Sequence, residues 1–232
     1  RIMLRFSKKI ICYDENLNLF PKKFANKIFT ISPILKKQIY NIAKNEKKKL
    51  LNKKKILIIG GSQGAKFFDQ NIFLLISKIS KMMNIEVYQQ FFEIAQKEKI
   101  KLHYKKLGIS FKLFKFDPVL YNYYHEFDLA ITRSGASAIS ELCFFKVPFL
   151  AIPFPYSKDN HQYFNAMKYK EKNSCWILEQ KDYKLEETSN FIIKLLNNNS
   201  DYFEKKNNLS KISNQNTWNN INKKLLSLIN EN

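Results

Sequence analysis

Residues 128–162, DLAITRSGASAISELCFFKVPFLAIPFPYSKDNHQ, decide the fold. Leu129 to Thr132 is an apolar, partly β-branched run long enough for a buried strand. Arg133-Ser134-Gly135-Ala136-Ser137 then forms a turn that opens a helix, and Ser134 to Ser137 carry so little side-chain bulk that a ligand can approach the backbone closely. N–H groups at a helix start point outward, and their dipoles favour an anion. Glu141 falls about two turns into that helix. A carboxylate there suits a ribose diol better than a phosphate. A second strand run follows, and the stretch ends in a polar loop.

A similar arrangement precedes it. Lys55-Ile56-Leu57-Ile58-Ile59 reads as a strand, Gly60-Gly61-Ser62-Gln63-Gly64-Ala65 as a glycine-rich turn, and the following residues as a helix. Strand, glycine loop and helix is the local context that a phosphate cradle requires, although an ordinary tight turn gives the same pattern. Two such turns in one sheet point towards a nucleotide.

From residue 55 onwards strand and helix signals alternate. Strand candidates are 55–60, 85–91, 111–116, 128–132, 148–152 and 174–178; helix candidates are 65–82, 92–106, 118–126, 136–146 and 160–172. Alternation of this kind predicts an α/β fold, a Rossmann-like doubly wound parallel sheet whose ligands bind at the carboxyl ends of the strands. After residue 182 the pattern is helical, and Trp218, Ile221, Leu225, Leu226, Leu228 and Ile229 give the segment 216–230 an apolar face. Residues 1–35 resemble the last pieces of a preceding α/β domain, with short strand-like runs at Ile10-Ile11-Cys12-Tyr13 and Lys27-Ile28-Phe29-Thr30. Residues 36–54 read as a lysine-rich linker with a helical portion, and 55–232 as one domain. The runs Lys47-Lys48-Lys49 and Lys53-Lys54-Lys55 read as solvated surface.

The chain of 232 residues can bury a substantial core, and 45% hydrophobic content with 20 Phe excludes disorder. A net charge of +20 rests on lysine; Arg1, Arg5 and Arg133 are the only arginines. Base-reading proteins use arginine, and no basic motif interleaved with aromatics occurs, so no nucleic-acid partner is expected. The lysines fit a compositional bias or attraction to an anionic membrane surface. Cys12, Cys143 and Cys175 are widely spaced and make neither a disulfide framework nor a zinc site. The sequence starts at Arg1 without a methionine and reads as a piece of a longer product.

The ordered motifs resemble one family. The turn of residues 60–65, Arg133-Ser134-Gly135-Ala136 with Ser140-Glu141, Val147-Pro148, Ile152-Pro153-Phe154, and Asp159-Asn160-His161-Gln162 with Asn165-Ala166 are similar to MurG-type UDP-GlcNAc:lipid I N-acetylglucosaminyltransferases. The resemblance covers residues 55–230 as a donor-binding domain, the C-terminal half of a GT-B glycosyltransferase. Residues 1–35 would be the tail of its N-terminal acceptor domain.

The resemblance implies site residues. Ser62 would touch the donor phosphates, and backbone at Phe116 and Asp117 would bracket the uracil edge. Amides of Ala136, Ser137 and Ala138 would hold the diphosphate, and Glu141 would accept from the ribose hydroxyls. His161, Gln162 and Asn165 would read the GlcNAc hydroxyls. Arg133 either structures its turn or meets the ligand, while His103 and His125 read as structural. The implied partners are UDP-GlcNAc, the lipid I acceptor and the anionic inner-membrane surface, with a peripheral location on its cytoplasmic face. The implied chemistry is an inverting displacement without a cofactor. No D-x-D motif occurs, so no obligatory metal is expected.

Two departures stand out. The family's GGTGGH-type loop, which supplies a catalytic or near-catalytic His, has no counterpart here, so the catalytic base is unassigned. Where the family carries an Asn-Pro-Val-Arg-like segment, this chain has Ser32-Pro33-Ile34-Leu35, with Lys36 or Lys37 as the nearest cation. Two alternatives stay open: another GT-B nucleotide-sugar transferase, and a non-catalytic donor-binding subunit that needs a separate acceptor-binding chain.

Overall fold

The computed structural model describes residues 3–13, 20–42, 53–61, 65–197 and 199–230. It opens with α1 (Met3–Phe6) and a two-stranded parallel sheet of β1 (Ile10–Cys12) and β2 (Ile28–Thr30). A short helix, α2 (Lys37–Asn41), follows. The main sheet has six parallel strands: β3 (Lys54–Ile59), β4 (Ile85–Gln90), β5 (Ser110–Phe114), β6 (Leu129–Thr132), β7 (Phe149–Ala151) and β8 (Trp176–Ile177). Their spatial order is β5-β4-β3-β6-β7-β8. The chain winds outward from β3 in one direction and from β6 in the other, so the switch point lies between those two strands. Every expected strand is present, within a few residues of its expected limits.

The helices are α3 (Ala65–Phe67), α4 (Phe73–Ser80), α5 (Ile94–Lys106), α6 (Ala136–Phe144), α7 (His161–Glu171), α8 (Leu185–Leu196), α9 (Ser200–Gln215) and α10 (Trp218–Asn230). They cover both faces of the sheet, which explains why the central strands are apolar runs and not alternating ones. Ile56 and Ile58 face one core with Phe68, Ile76, Ile131 and Ile192. Leu57 faces the other with Ala130, Ile139, Phe149 and Leu209. All three β3 residues are fully buried, and together their burial contributes roughly 5–9 kcal/mol relative to exposure.

Several expectations are corrected. The single helix expected over 65–82 contains a π segment, Phe68–Ile72, between α3 and α4, with Phe68, Asp69 and Ile72 all buried. The helix expected over 118–126 is a 3-10 helix, Leu120–Glu126, in which only Leu120 and Tyr124 are buried. Seven residues with so little to bury gain little from an α-helical nucleus, and tighter i→i+3 bonds suffice. Lys55 is not solvated surface. It is 9% exposed at the sheet's amino end and pairs with Glu126, and with Glu86 at 3.7 Å. The run at residues 47–49 lies outside the described residues.

The linker is docked. Ile39 is fully buried against Leu35 and Phe144, and the Tyr40 hydroxyl donates to Asn216 Oδ1 at 3.3 Å. In α10 only Ile221 is buried, while Trp218, Leu226 and Ile229 remain exposed.

Candidate functional site

The carboxyl ends of β3 and β6 are neighbours, with Ile59 opposite Thr132. Gly60-Gly61 and the turn that opens α6 therefore sit side by side at the switch point, where open α/β sheets bind ligands. After β3 the backbone reaches Gly61 at φ 67, a left-handed conformation that glycine alone adopts freely. The Gly61 amide donates to Gln90 Oε1 at 3.1 Å. Ser62, the expected phosphate contact, lies outside the described residues.

After β6, Gly135 caps α6 in an extended conformation without a side-chain cap. The first intrahelical bond runs from Ile139 N to the Gly135 carbonyl at 3.2 Å. The amides of Ala136, Ser137 and Ala138 precede that bond and have no acceptor within the helix. Ala136 and Ser137 are exposed, so these donors and the positive end of the helix dipole face open space.

Arg133 is 3% exposed and does not face that space. Its Nη1 donates to the carbonyls of Ile152 and Pro153 at 3.0 Å each, and its Nη2 donates to Gln180 Oε1 at 2.6 Å. Its guanidinium lies over the rings of Phe67, Phe68 and Phe154, 5.0–5.5 Å from their centroids. One side chain thus joins the helix after the glycine turn, the end of β7 and the loop beyond β8. Burial pulls its pKa down to about 10, so it stays charged at neutral pH. Of the two sequence readings, the structural one accounts for these contacts.

Glu141 is half-buried on α6 and accepts from the Tyr124 hydroxyl at 3.2 Å. Burial raises its carboxyl pKa, against the opposing pull of the Tyr124 hydrogen bond and the Lys36 charge. Lys36, one residue past Leu35, is the cation whose charge reaches the carboxylate.

The polar loop before α7 carries two successive left-handed residues, Asp159 and Asn160, both at φ 52. Such conformations concentrate at ligand sites, and Asp and Asn tolerate them best. His161 is exposed, and its Nδ1 lies 2.8 Å from the Lys158 carbonyl. Gln162 is buried; its Oε1 accepts from the Phe154 amide at 3.0 Å. Asn165 Nδ2 donates to the Ser134 carbonyl at 3.1 Å, tying α7 to the turn that opens α6. A cleft of about 250 Å³ lies beside this loop, lined by Pro153, Phe154, Asn160, Tyr163 and Gln180 among others. A larger cavity of about 520 Å³ runs along β8 between Trp176, Phe191 and Lys205, away from both turns.

Beyond β5, Phe116 is 76% exposed, and Asp117 is tethered by accepting from the Val119 amide at 3.1 Å and by Lys112 at 3.3 Å. The structure also identifies residues that sequence reasoning missed. Gln90 links two of the loops, Tyr124 meets Glu141, and Asp69 accepts from the amides of Phe92 and Glu93 at 2.9 and 3.1 Å. Only the glycine turn upstream of Asp69 gave any signal. His103 has a structural setting, with Nε2 2.6 Å from Ser77 Oγ and its ring edge-on to Phe73. Among the described residues no group of three or more His, Cys, Asp or Glu is placed to hold a metal ion.

The doubly wound sheet, with its switch point between β3 and β6, has the fold of the C-terminal half of a GT-B glycosyltransferase. The chain belongs to the glycosyltransferase family 28 C-terminal domain family, whose pattern its residues 55–224 match. It is 41% identical over 232 residues to the UDP-N-acetylglucosamine--N-acetylmuramyl-(pentapeptide) pyrophosphoryl-undecaprenol N-acetylglucosamine transferase of Pelagibacter ubique (strain HTCC1062), covering 100% of this chain and 64% of that one. The same-named enzyme of Rickettsia felis (strain ATCC VR-1525 / URRWXCal2) is 34% identical over 203 residues, 83% of this chain and 56% of that one. The chain therefore spans less than two thirds of these relatives. The crystal structure of Acinetobacter baumannii MurG has the same fold, at TM-score 0.72 and 20% identity over 98% of this chain and 62% of that one. A UDP-glucose:anthocyanidin 3-O-glucosyltransferase in complex with UDP follows at TM-score 0.62 and 14% identity, covering 90% of this chain and 48% of that one.

Proposed function

We propose that this chain is the donor-binding part of an enzyme that transfers N-acetylglucosamine from UDP-GlcNAc to lipid I, forming lipid II for peptidoglycan. The observation that carries the reading is the α6 start. Three amides that precede the first intrahelical bond lie on the same helix as the Glu141 carboxylate, beside the glycine turn of the adjacent strand. Amides suit a diphosphate, and a carboxylate suits a ribose diol. The names of the relatives supply the sugar and the acceptor.

In this reading Ser62 and the amides of Ala136, Ser137 and Ala138 hold the diphosphate, and Glu141 accepts from the ribose. Backbone at Phe116 and Asp117 brackets the uracil, and His161, Gln162 and Asn165 face the sugar. The acceptor's C4 hydroxyl attacks the anomeric carbon with inversion while UDP leaves. The helix start stabilises the negative charge that develops on the leaving diphosphate. The base that takes the hydroxyl proton is assigned to the acceptor-binding half of the enzyme. The work is assigned to the cytoplasmic membrane face, where the lysine excess favours anionic headgroups. Among the described residues no helix is long and apolar enough to cross a membrane.

Calorimetric titration with UDP-GlcNAc, with UDP-GalNAc, UDP-glucose and ATP as controls, tests the proposal. Selective binding of UDP-GlcNAc that Glu141→Ala weakens is the expected result. Preference for another uridine sugar would move the reading to a different transferase of this architecture. No binding of any uridine nucleotide would sink it.

A further inference from the structure

We infer that Gln90 is a positioning residue that couples recognition of the base to recognition of the diphosphate. This rests on the nucleotide reading of the site. β4 lies between β3 and β5 in the sheet, so a side chain at its carboxyl end can reach both neighbours. Gln90 does so. Its Oε1 accepts from the Gly61 amide at 3.1 Å, and its Nε2 donates to the Lys115 carbonyl at 3.1 Å.

Each bond holds one half of the proposed site. Gly61 is the left-handed residue that turns β3 into the glycine loop, and its amide is engaged by Gln90 instead of facing a phosphate. That bond fixes the Gly61 amide beside the turn that opens α6. Lys115 immediately precedes Phe116 and Asp117, the backbone proposed to meet the uracil edge. The β4–β5 ladder pairs Gln90 with Phe114 and adds one more backbone bond, from Phe91 N to the Phe114 carbonyl at 2.9 Å. Beyond that point the Gln90 side chain carries the linkage. A primary amide is suited to it, because one end accepts and the other donates; a carboxylate cannot donate, and a thioether can do neither well. The contact to Lys115 is solvent-exposed, so its loss should scarcely alter stability while freeing Gly61 and Lys115 to move separately.

The test compares the unaltered chain with Gln90→Met and Gln90→His by titration with UDP, uridine and pyrophosphate. The readout is the ratio of the uridine Kd to the UDP Kd. That ratio is expected to fall by on the order of tenfold in Q90M, with uridine and pyrophosphate separately little changed, a usual size for coupling between two sites. Q90H should recover part of it, since imidazole can donate and accept. An unchanged ratio in Q90M, with the unaltered chain binding UDP, overturns the inference but not the nucleotide reading. Failure of the unaltered chain to bind UDP overturns the nucleotide reading, and the inference with it. Should Q90M not fold, the Gln90 side-chain amide signal of the unaltered chain decides by NMR. It should shift on adding uridine alone and pyrophosphate alone, and a signal unmoved by both overturns the coupling.

Discussion

Replacing Arg133 with methionine tests whether one buried guanidinium holds the floor of the site. The change removes donors to the Ile152 and Pro153 carbonyls and to Gln180, while the methionine stem can still pack against Phe67, Phe68 and Phe154. Leaving a buried acceptor unpaired costs roughly 1–3 kcal/mol, so the two carbonyls set a loss of about 2–6 kcal/mol. Lost cation–π attraction adds about 1 kcal/mol, and relief from burying a charge offsets some of the total. A net loss of about 3 kcal/mol is expected, which for a chain of this size lowers the melting temperature by about 6–12 °C. Arg133→Lys should lose about half as much, because an ammonium keeps the charge without the planar fork. Urea and thermal unfolding followed by circular dichroism measure both. A loss below about 1 kcal/mol for R133M would refute the clamp.

Two further outcomes are expected. Burial raises the Glu141 pKa, so the folded state keeps that proton to higher pH than the unfolded chain, and this group's contribution to stability falls as pH climbs above the ordinary carboxylate range. Glu141→Gln should therefore melt higher than the unaltered chain at pH 7, with the advantage shrinking towards about pH 4, yet bind UDP on the order of tenfold more weakly; a variant that melts lower at pH 7 contradicts the reasoning. Lys146 occupies a left-handed position at φ 59 just past α6, where Lys146 N bonds to the Cys143 carbonyl and Val147 N to the Leu142 carbonyl. That is the Schellman ending glycine prefers, so Lys146→Gly should stabilise by about 1 kcal/mol in urea unfolding.

The sheet was legible because strands buried on both faces are written as short continuous apolar runs, as in Ile56-Leu57-Ile58 and Leu129-Ala130-Ile131. The turn that opens α6 was legible too, because lack of bulk is a local property. Partners far apart in sequence were not. Nothing near Arg133 names Ile152 or Gln180 as its acceptors. The same holds for the backbone contacts of Gln162 and Asn165, at Phe154 and Ser134. In residues 36–54 the helical portion was legible, but its docking was not: Ile39 is buried and Tyr40 packs edge-on against Phe144, 5.4 Å between centroids.

The switch point also bears on when during folding the site comes into being. The turns after β3 and β6 meet only once the strands that carry them have paired, a junction marked by the Lys55 amide bonded to the Asp128 carboxylate, 73 residues away, at 2.7 Å. Closing so long a loop has an entropic cost that local turns and helices do not bear. During synthesis the glycine turn leaves the ribosome well before the helix that completes its pocket. A ligand spanning both turns therefore recognises only chains whose central seam has closed, and by mass action it holds that seam shut. On the proposed reading, nucleotide binding would report that the β3–β6 pairing, the longest-range one among the described residues, has formed.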